Sequence, residues 1–258
     1  MRTYVRALLI QIRQLFTLRF FIVVFLFTLL HILSVIKMYF DSFQDAWYVV
    51  SHSLQTGITF FTIYILSTFV FSHTIVSEWE NKYIQLNMIR SGILPYTLSK
   101  FLAAAIGGFF CVFFGMSLFC LISYLIFPQV TMITSDDAYN AMILEGKVLQ
   151  GFLLFIIDMS FSGTVTAVFG MTASVFVMTP YTAVSAPVAF FLIGSRIAES
   201  LKLPDEFNPM YWMHAVVSSF DSSLAAKGVL QKGAACITAV MVMTILACHQ
   251  MLKKVKNE

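Results

Sequence analysis

Asp158 is the only acidic residue that lies well inside a long apolar segment of this sequence. A charge in the middle of a bilayer costs about 2.5–3.5 kcal/mol on insertion scales, so the side chain should face protein or water. Asp158 begins a stripe at four-residue spacing, which continues through Ser162, Thr166, Gly170 and Ser174. Small and hydroxyl residues at this spacing bring helices close together. Two interpretations are open: a packing face that shelters Asp158, or a polar strip along a substrate path or a dimer seam.

A second group of candidate functional residues lies in the segment 77–100. Charged and aromatic side chains alternate there with apolar ones, and the candidates are Glu78, Trp79, Glu80, Lys82, Tyr83 and Arg90. Helical spacing places Trp79, Tyr83 and Leu86 near one face. Gly92 indicates the end of this helix, since glycine readily adopts the left-handed capping conformation. Such a helix suits docking into a groove on a cytoplasmic partner; the alternative is a solvated turn with interfacial aromatics.

Patterns typical of catalytic, metal or nucleotide sites are missing from the sequence. The five histidines are scattered, with no H-E-x-x-H and no pair at ligand spacing on one predicted helix. Gly146-Lys147 is followed by Val148, and no upstream glycine has P-loop spacing. The four cysteines lie in apolar runs without C-x-x-C, which is typical of small buried side chains. We therefore expect no enzymatic activity, no metal site and no cofactor in this chain itself.

The elements that position these residues are apolar to a degree that soluble domains do not reach. Of the 258 residues, 59% are hydrophobic and 11% charged, and the mean hydropathy is +0.84. An ordinary soluble domain is about 45–50% apolar and about 25% charged. The net charge of +3 is too small to indicate a nucleic-acid partner. The composition excludes a soluble enzyme and favours an all-α, polytopic membrane protein that forms a single transmembrane domain over residues 1–258.

Six segments are long and apolar enough to be predicted as membrane-spanning helices, since a span needs about 20 apolar residues. They cover approximately 20–39, 57–76, 101–127, 148–178, 181–198 and 233–251. Pro180 and the combined length of the fourth and fifth segments argue for two spans there. The segment 77–100 would then be a cytoplasmic loop and 199–232 an extracellular segment.

The N-terminal segment 1–19 is predicted to be an amphipathic helix in the membrane interface. Apolar residues recur there at helical spacing: Val5, Leu8, Leu9, Ile12, Leu15 and Phe16. Arginines occupy much of the remaining surface. The alternative is a basic leader that only fixes orientation. The apolar run after it has no small-x-small cleavage site, so we interpret it as an uncleaved first span.

The distribution of lysine and arginine predicts the orientation. The N-terminal tail, the segment 77–100 and the C-terminal tail together carry ten basic and three acidic residues. The other side carries six basic and nine acidic residues. Both termini are therefore expected on the cytoplasmic side of the plasma membrane, which an even number of spans satisfies.

The set of six spans, cytoplasmic termini, an interfacial N-terminal helix and a charged loop after the second span resembles the permease subunit of an ATP-binding-cassette (ABC) exporter of the type-2 class. The likeness covers the whole architecture and is sharpest in the segment 77–100. Such permeases often carry an acidic residue, a glycine before an aromatic or threonine, a basic residue, and an aromatic near a lysine that opens the third span. The corresponding residues here are Glu78, Glu80, Tyr83, Arg90, Tyr96 and Lys100. Lys82 stands where glycine is common.

The resemblance implies a mechanism and partners. Two permease chains would pair, each docked on a separate ATPase subunit that binds ATP and magnesium. A coupling helix over 77–90 would transmit the ATPase motion to the spans. The cargo implied is amphipathic or lipophilic, such as a peptide or drug.

Two functions of other classes stay open on the residues alone. One is an ATP-independent secondary carrier that uses Asp158 as its proton or cation site. Inverted repeats would favour such a carrier, and none is evident. The other is a membrane scaffold or immunity protein, in which the polar stripe serves packing only.

Overall fold

The fold is helical throughout the part of the chain that the computed structural model describes, residues 2–40, 45–55, 57–127, 138–202 and 221–257. These residues form eleven α-helices and one 3₁₀ helix (Ile36–Phe40), with no strand among them. The α-helices are α1 (Arg2–Leu15), α2 (Leu18–Ser34), α3 (Ala46–Gln55), α4 (Gly57–Phe69), α5 (Thr74–Glu80), α6 (Tyr83–Ser91), α7 (Ile93–Ile126), α8 (Ala138–Leu144), α9 (Val148–Phe176), α10 (Pro180–Ser200) and α11 (Ser222–Asn257).

Four of these helices, α7, α9, α10 and α11, are long and apolar enough to cross a membrane. A fifth span results if α1 and α2, which meet at a bend of 54°, are counted as one. These lengths support a polytopic helical membrane protein. The count of six spans stays a prediction, because α2 and α4 have only 17 and 13 residues.

The N-terminal region forms two helices, as the amphipathic pattern predicts. α1 ends at Leu15, and the bend at Phe16–Thr17 separates it from α2. Leu15 is buried, whereas Val5 and Leu9 are exposed. Part of the apolar face of α1 therefore packs on the bundle, and part is free to contact lipid; the interfacial position of α1 stays a prediction.

The second predicted span, 57–76, is not one continuous helix. α4 ends at Phe69, a turn follows, and α5 begins at Thr74. The Ser72 hydroxyl in this turn donates a hydrogen bond to the carbonyl oxygen of Ala167 on α9, at 2.8 Å. This bond attaches the turn between α4 and α5 to α9, and hydropathy alone does not reveal the turn.

The turn between the fourth and fifth predicted spans is confirmed. α9 ends at Phe176, and Pro180 is the first residue of α10. Proline is tolerated at this position because its missing N–H would have no partner within the first helical turn. The segment of about 50 residues therefore forms two helices and not one long span, as the sequence predicts.

α9 is the central helix of the bundle and contacts α4, α7, α8, α10 and α11. Its closest neighbour is α7, and the two helices meet at glycines. A β-carbon on Gly108 would collide with the carbonyl oxygen of Gly163, and one on Gly163 would lie 2.5 Å from Val112. Gly108 and Gly163 therefore allow α7 and α9 to approach each other closely.

The buried core has two parts, one at each end of α7. The N-terminal half of α7 packs with α1, α5, α6 and the C-terminal half of α9, around Phe20, Phe71 and Phe101. The C-terminal half packs with α2, α3, α8 and the N-terminal half of α9, around Trp47 and Phe155. The antiparallel pair α7–α9 thus joins the segment that follows α4 to the opposite end of the bundle.

At that opposite end of the bundle, a polar contact joins the loop after α8 to the start of α11. The Ser222 hydroxyl donates to Glu145 Oε1 at 2.6 Å, and Lys147 Nζ lies 2.9 Å from Glu145 Oε2. These hydrogen bonds lower the pKa of Glu145. Residues 203–220, which include much of the predicted extracellular segment, lie outside the described residues.

Candidate functional site

The segment predicted as one coupling helix is two helices. α5 ends at Glu80, Asn81 and Lys82 form a turn, and α6 begins at Tyr83. Lys82 has φ 59° and ψ 9°, which is the left-handed region that glycine adopts most easily. A right-handed helix cannot continue through this conformation, so the prediction of one continuous helix over 77–90 is wrong. The predicted helix stop is confirmed, because α6 ends at Ser91, before Gly92 at φ 83°.

Glu78 faces the bundle and holds α5, α6 and α7 together. Its carboxylate pairs with Lys100 of α7, with 2.6 Å between Oε1 and Nζ. Oε2 accepts hydrogen bonds from the Tyr96 hydroxyl and, at 3.3 Å, from the Asn87 side-chain amide. Lys100 Nζ also donates to the Thr74 hydroxyl at 3.4 Å. We call Thr74, Glu78, Asn87, Tyr96 and Lys100 the Glu78 cluster.

The surroundings of Lys100 explain how a lysine is accommodated at this depth. Its side chain is fully buried, and Glu78 is 21% exposed. The ammonium lies 5.2 Å from the ring centre of Phe71 and 5.8 Å from that of Tyr96, within cation–π range. Charge-assisted hydrogen bonds are stronger than neutral ones. The Glu78 cluster therefore links the short helices α5 and α6 to α7 through polar contacts.

The outer face of α6 is exposed and mainly apolar, in contrast to the buried polar contacts on its inner side. Tyr83, Leu86 and Ile89 are 60%, 53% and 81% exposed, while Ile84 and Met88 are buried against the bundle. Exposed charges flank this face, namely Glu80, Lys82 and Arg90. We call Tyr83, Leu86 and Ile89, together with those three charged residues, the α6 outer face.

The six predicted coupling residues thus occupy three environments. Glu80, Lys82, Tyr83 and Arg90 belong to the α6 outer face. Glu78 points inward, and Trp79 lies between, half-buried, with Lys254 of α11 5.8 Å from its ring centre. Sequence periodicity, applied to one continuous helix, placed Trp79 and Tyr83 on the same face and missed this division.

The buried partner of Asp158 is Lys232. The distance between Oδ1 and Nζ is 2.9 Å, and both side chains are fully buried. The contact is a buried ion pair between α9 and α11.

Lys232 lies inside α11, a helix that includes the last part of the segment 199–232, which is predicted to be extracellular. α11 begins at Ser222, about three turns before the predicted sixth span. The buried residues Ala225, Val229, Lys232 and Cys236 recur at helical spacing. This periodicity is the signal that could have extended the helix and placed Lys232 on its buried face.

The polar stripe on α9 contributes to helix packing, and two of its residues also line a pocket. Gly170 and Ser174 serve packing, since a β-carbon on Gly170 would collide with the carbonyl oxygen of Ala183 on α10. Ser162 and Thr166 are also buried, and the Thr166 hydroxyl donates to the Ser162 carbonyl oxygen at 2.7 Å. These two residues, unlike the first two, also line a pocket.

This pocket has a volume of about 570 Å³ and lies between α4, α9, α10 and α11. We call it the α9–α11 pocket. Its walls are mainly apolar, with Phe169, Phe190 and Met243 among them. Lys232 is the one charged residue among the described residues that line it. The volume falls within the range of about 300–1,000 Å³ that is usual for small-molecule sites.

No group of three or more histidine, cysteine, aspartate or glutamate side chains that could hold a metal ion occurs within the described ranges. No protein-family model matches the chain, and neither a curated protein nor a solved structure matches it.

Proposed function

We propose that this chain is the membrane-spanning permease subunit of an ATP-driven exporter of the ABC type-2 class. It acts with a separate ATPase subunit, which holds ATP and magnesium, and with a second permease chain. Its cargo is amphipathic or lipophilic and is moved across the plasma membrane. α6 is the coupling element.

The observation that carries the proposal is the two-sided character of α6. Its outer face exposes three large apolar side chains ringed by charges. Protein interfaces have this composition, with an apolar or aromatic centre and a polar rim. Its inner side is fixed to α7 through the Glu78 cluster. A partner docked on the α6 outer face would hence be joined mechanically to a helix of 34 residues.

Coupling follows from this joint. The partner ATPase pair closes when it binds ATP, and the closure pushes on α6. Because Glu78 is bonded to Asn87 of α6 and to Lys100 of α7, the two helices move as one body. The tight glycine contact between α7 and α9 passes the motion to the centre of the bundle.

Purification of the tagged chain from its native membranes in mild detergent tests this proposal. We expect a P-loop ATPase, identified by mass spectrometry and by its ATP hydrolysis, in about one-to-one ratio. Leu86→Glu should abolish its recovery, because a charge would replace an apolar contact at the centre of the docking face.

Leu201→Glu is the matched control, since Leu201 is 65% exposed and lies at the end of α10, away from α6. It should leave recovery unchanged. Recovery of the chain without any ATPase, even after cross-linking, would contradict the proposal. So would equal recovery from the Leu86→Glu and wild-type proteins.

The buried Asp158–Lys232 pair favours a second candidate, the secondary carrier. A carrier would transport in sealed vesicles without ATP, driven by an ion gradient alone. The exporter requires ATP and continues when that gradient is collapsed with an ionophore. Transport assays with the two energy sources therefore separate the candidates.

A further inference from the structure

A second pocket, of about 530 Å³, lies between α1, α5, α6 and the start of α7, and we call it the α1–α6 pocket. Two arginines line it, Arg6 of α1 and Arg90 near the end of α6. Both residues are exposed, and neither forms an ion pair with another described residue. The pocket therefore offers two accessible guanidinium groups to an anion.

Glu78, the one acidic residue among the described residues that line this pocket, is already compensated. Its Oε1 pairs with the buried Lys100 ammonium at 2.6 Å. Its Oε2 accepts hydrogen bonds from the Tyr96 hydroxyl and from the Asn87 amide. The pocket wall therefore leaves the two arginine charges without a counter-charge, and an anionic ligand would supply it.

The remaining wall of the α1–α6 pocket has a polar and an apolar part. Gln11 is buried, and its Oε1 has no hydrogen-bond partner among the described residues, which favours a polar ligand group on that side. Ile10 lines the pocket and is also exposed, next to the exposed Leu9 on the same helix. The pocket is thus continuous with the exposed apolar surface of α1.

The amphipathic character of α1 indicates which kind of anion fits. Its sequence predicts a helix in the cytoplasmic interface, at the depth of the phospholipid headgroups. Basic pockets on the cytoplasmic side of membrane proteins bind anionic headgroups, and arginine binds phosphate through two parallel N–H donors. A soluble phosphate would use the arginines alone, whereas a phospholipid would also use the apolar surface at Ile10.

We propose that the α1–α6 pocket binds the phosphate group of an anionic phospholipid from the cytoplasmic leaflet. The phosphate pairs with Arg6 and Arg90, and an acyl chain lies along Leu9 and Ile10. Because the two arginines belong to different helices, the bound lipid links α1 to α6. The inference goes beyond the proposed function and does not depend on it.

The lipid selectivity of the purified chain tests the inference. The chain in mild detergent is mixed with equal amounts of phosphatidylglycerol and phosphatidylcholine that have the same acyl chains. The lipids that stay bound after gel filtration are quantified by mass spectrometry. We expect about tenfold more bound phosphatidylglycerol, because each of two basic residues favours an anionic lipid several-fold. Equal amounts of the two lipids would overturn the proposal.

Three double variants locate the site. Arg6→Gln/Arg90→Gln should bring the ratio of the two lipids close to one. Arg6→Lys/Arg90→Lys keeps both charges and should keep most of the selectivity, which separates lost charge from lost folding. Arg13→Gln/Lys82→Gln is the matched control, because it removes two exposed charges of the same region that do not line the pocket. Unchanged selectivity in Arg6→Gln/Arg90→Gln, or an equal loss in the control, would refute the site.

Two further comparisons separate a lipid from other anions. Bound phosphatidylglycerol should persist in excess sodium phosphate as it does in sodium chloride of the same ionic strength. Displacement by phosphate alone would assign the pocket to a soluble phosphate and overturn the proposal. If Arg6→Gln/Arg90→Gln loses ATPase recovery but keeps its lipid selectivity, the pocket binds an acidic group of the partner instead. Because the lipid assay contains no ATPase, this inference and the proposed function can fail independently.

Discussion

Two ion pairs join helices within this apolar chain. Asp158–Lys232 joins α9 to α11, and Glu78–Lys100 joins α5 to α7. Removing one partner of a buried ion pair leaves an uncompensated charge, whereas replacing both by apolar residues is often neutral. Each pair is therefore a constraint on which helices may sit side by side.

Asp158→Leu should destabilise the protein by about 3–5 kcal/mol, because Lys232 would be left as an unpaired buried cation. Asp158→Leu/Lys232→Met should recover most of that loss. The fraction of protein that stays monodisperse on size-exclusion chromatography after heating measures both effects. A double variant as unstable as the single one would contradict the pairing.

Charge reversal separates the two glutamates of α5. Glu78→Lys would place a second ammonium beside buried Lys100 and should prevent folding, seen as aggregated protein. Glu80→Lys changes an exposed residue of the α6 outer face and should fold normally but bind the ATPase less well. If both variants fold equally well, the Glu78–Lys100 ion pair does not stabilise the contact between α5 and α7.

The sequence predicts that Asp158 is sheltered, since an acidic residue inside an apolar segment has few alternatives. It does not predict Lys232 as the partner, because hydropathy alone begins the last span at 233, one residue after Lys232. The inward position of Glu78 was likewise hidden, as it depends on the turn at Asn81–Lys82.

At the scale of elements, the turn at Lys82 sets the direction of α6. A left-handed conformation costs about 1–2 kcal/mol for a residue with a side chain and little for glycine. Lys82→Gly should therefore raise the free energy of unfolding by about 1 kcal/mol. Lys82→Val should lower it. Melting followed by intrinsic fluorescence checks both, and equal effects of the two substitutions would argue against the left-handed turn.

The glycine contact between α7 and α9 admits a graded test. Gly108→Ala meets a backbone carbonyl, which cannot turn aside, so it should cost about 1–3 kcal/mol. Gly115→Ala meets the Phe27 ring at 2.5 Å, and this side chain can move. It should cost less, as judged by the same heating assay. A larger cost at Gly115 would contradict the packing of α7 on α9.

The helix bounds show which spans hydropathy predicts correctly and which it does not. The third, fourth and fifth predicted spans correspond to α7, α9 and α10, because long uninterrupted apolar runs have few alternative structures. α4 is shorter than predicted, and the turn after it is bonded to α9 through Ser72, a contact between residues far apart in sequence. α7 begins at Ile93, earlier than predicted, because Gly92 ends α6 and leaves the following residues to start a new helix.

The whole molecule is a bundle of helices centred on α9. α6, which has one buried and one exposed side, lies at one end, and the mainly apolar α9–α11 pocket lies between four of the helices. In the proposed exporter, the ATPase would act on α6, and the Glu78 cluster would carry the motion to α7. The orientation of the bundle in the membrane follows from its loop charges and remains a prediction.

Site-specific photo-cross-linking in native membranes tests the central claim most directly. A benzophenone amino acid is placed at Ile89, the most exposed position of the α6 outer face, and separately at Ile237, an exposed position on α11. The account predicts a covalent adduct with a P-loop ATPase from Ile89 and none from Ile237. Absence of any ATPase adduct from Ile89, in membranes that contain the folded protein, would contradict it.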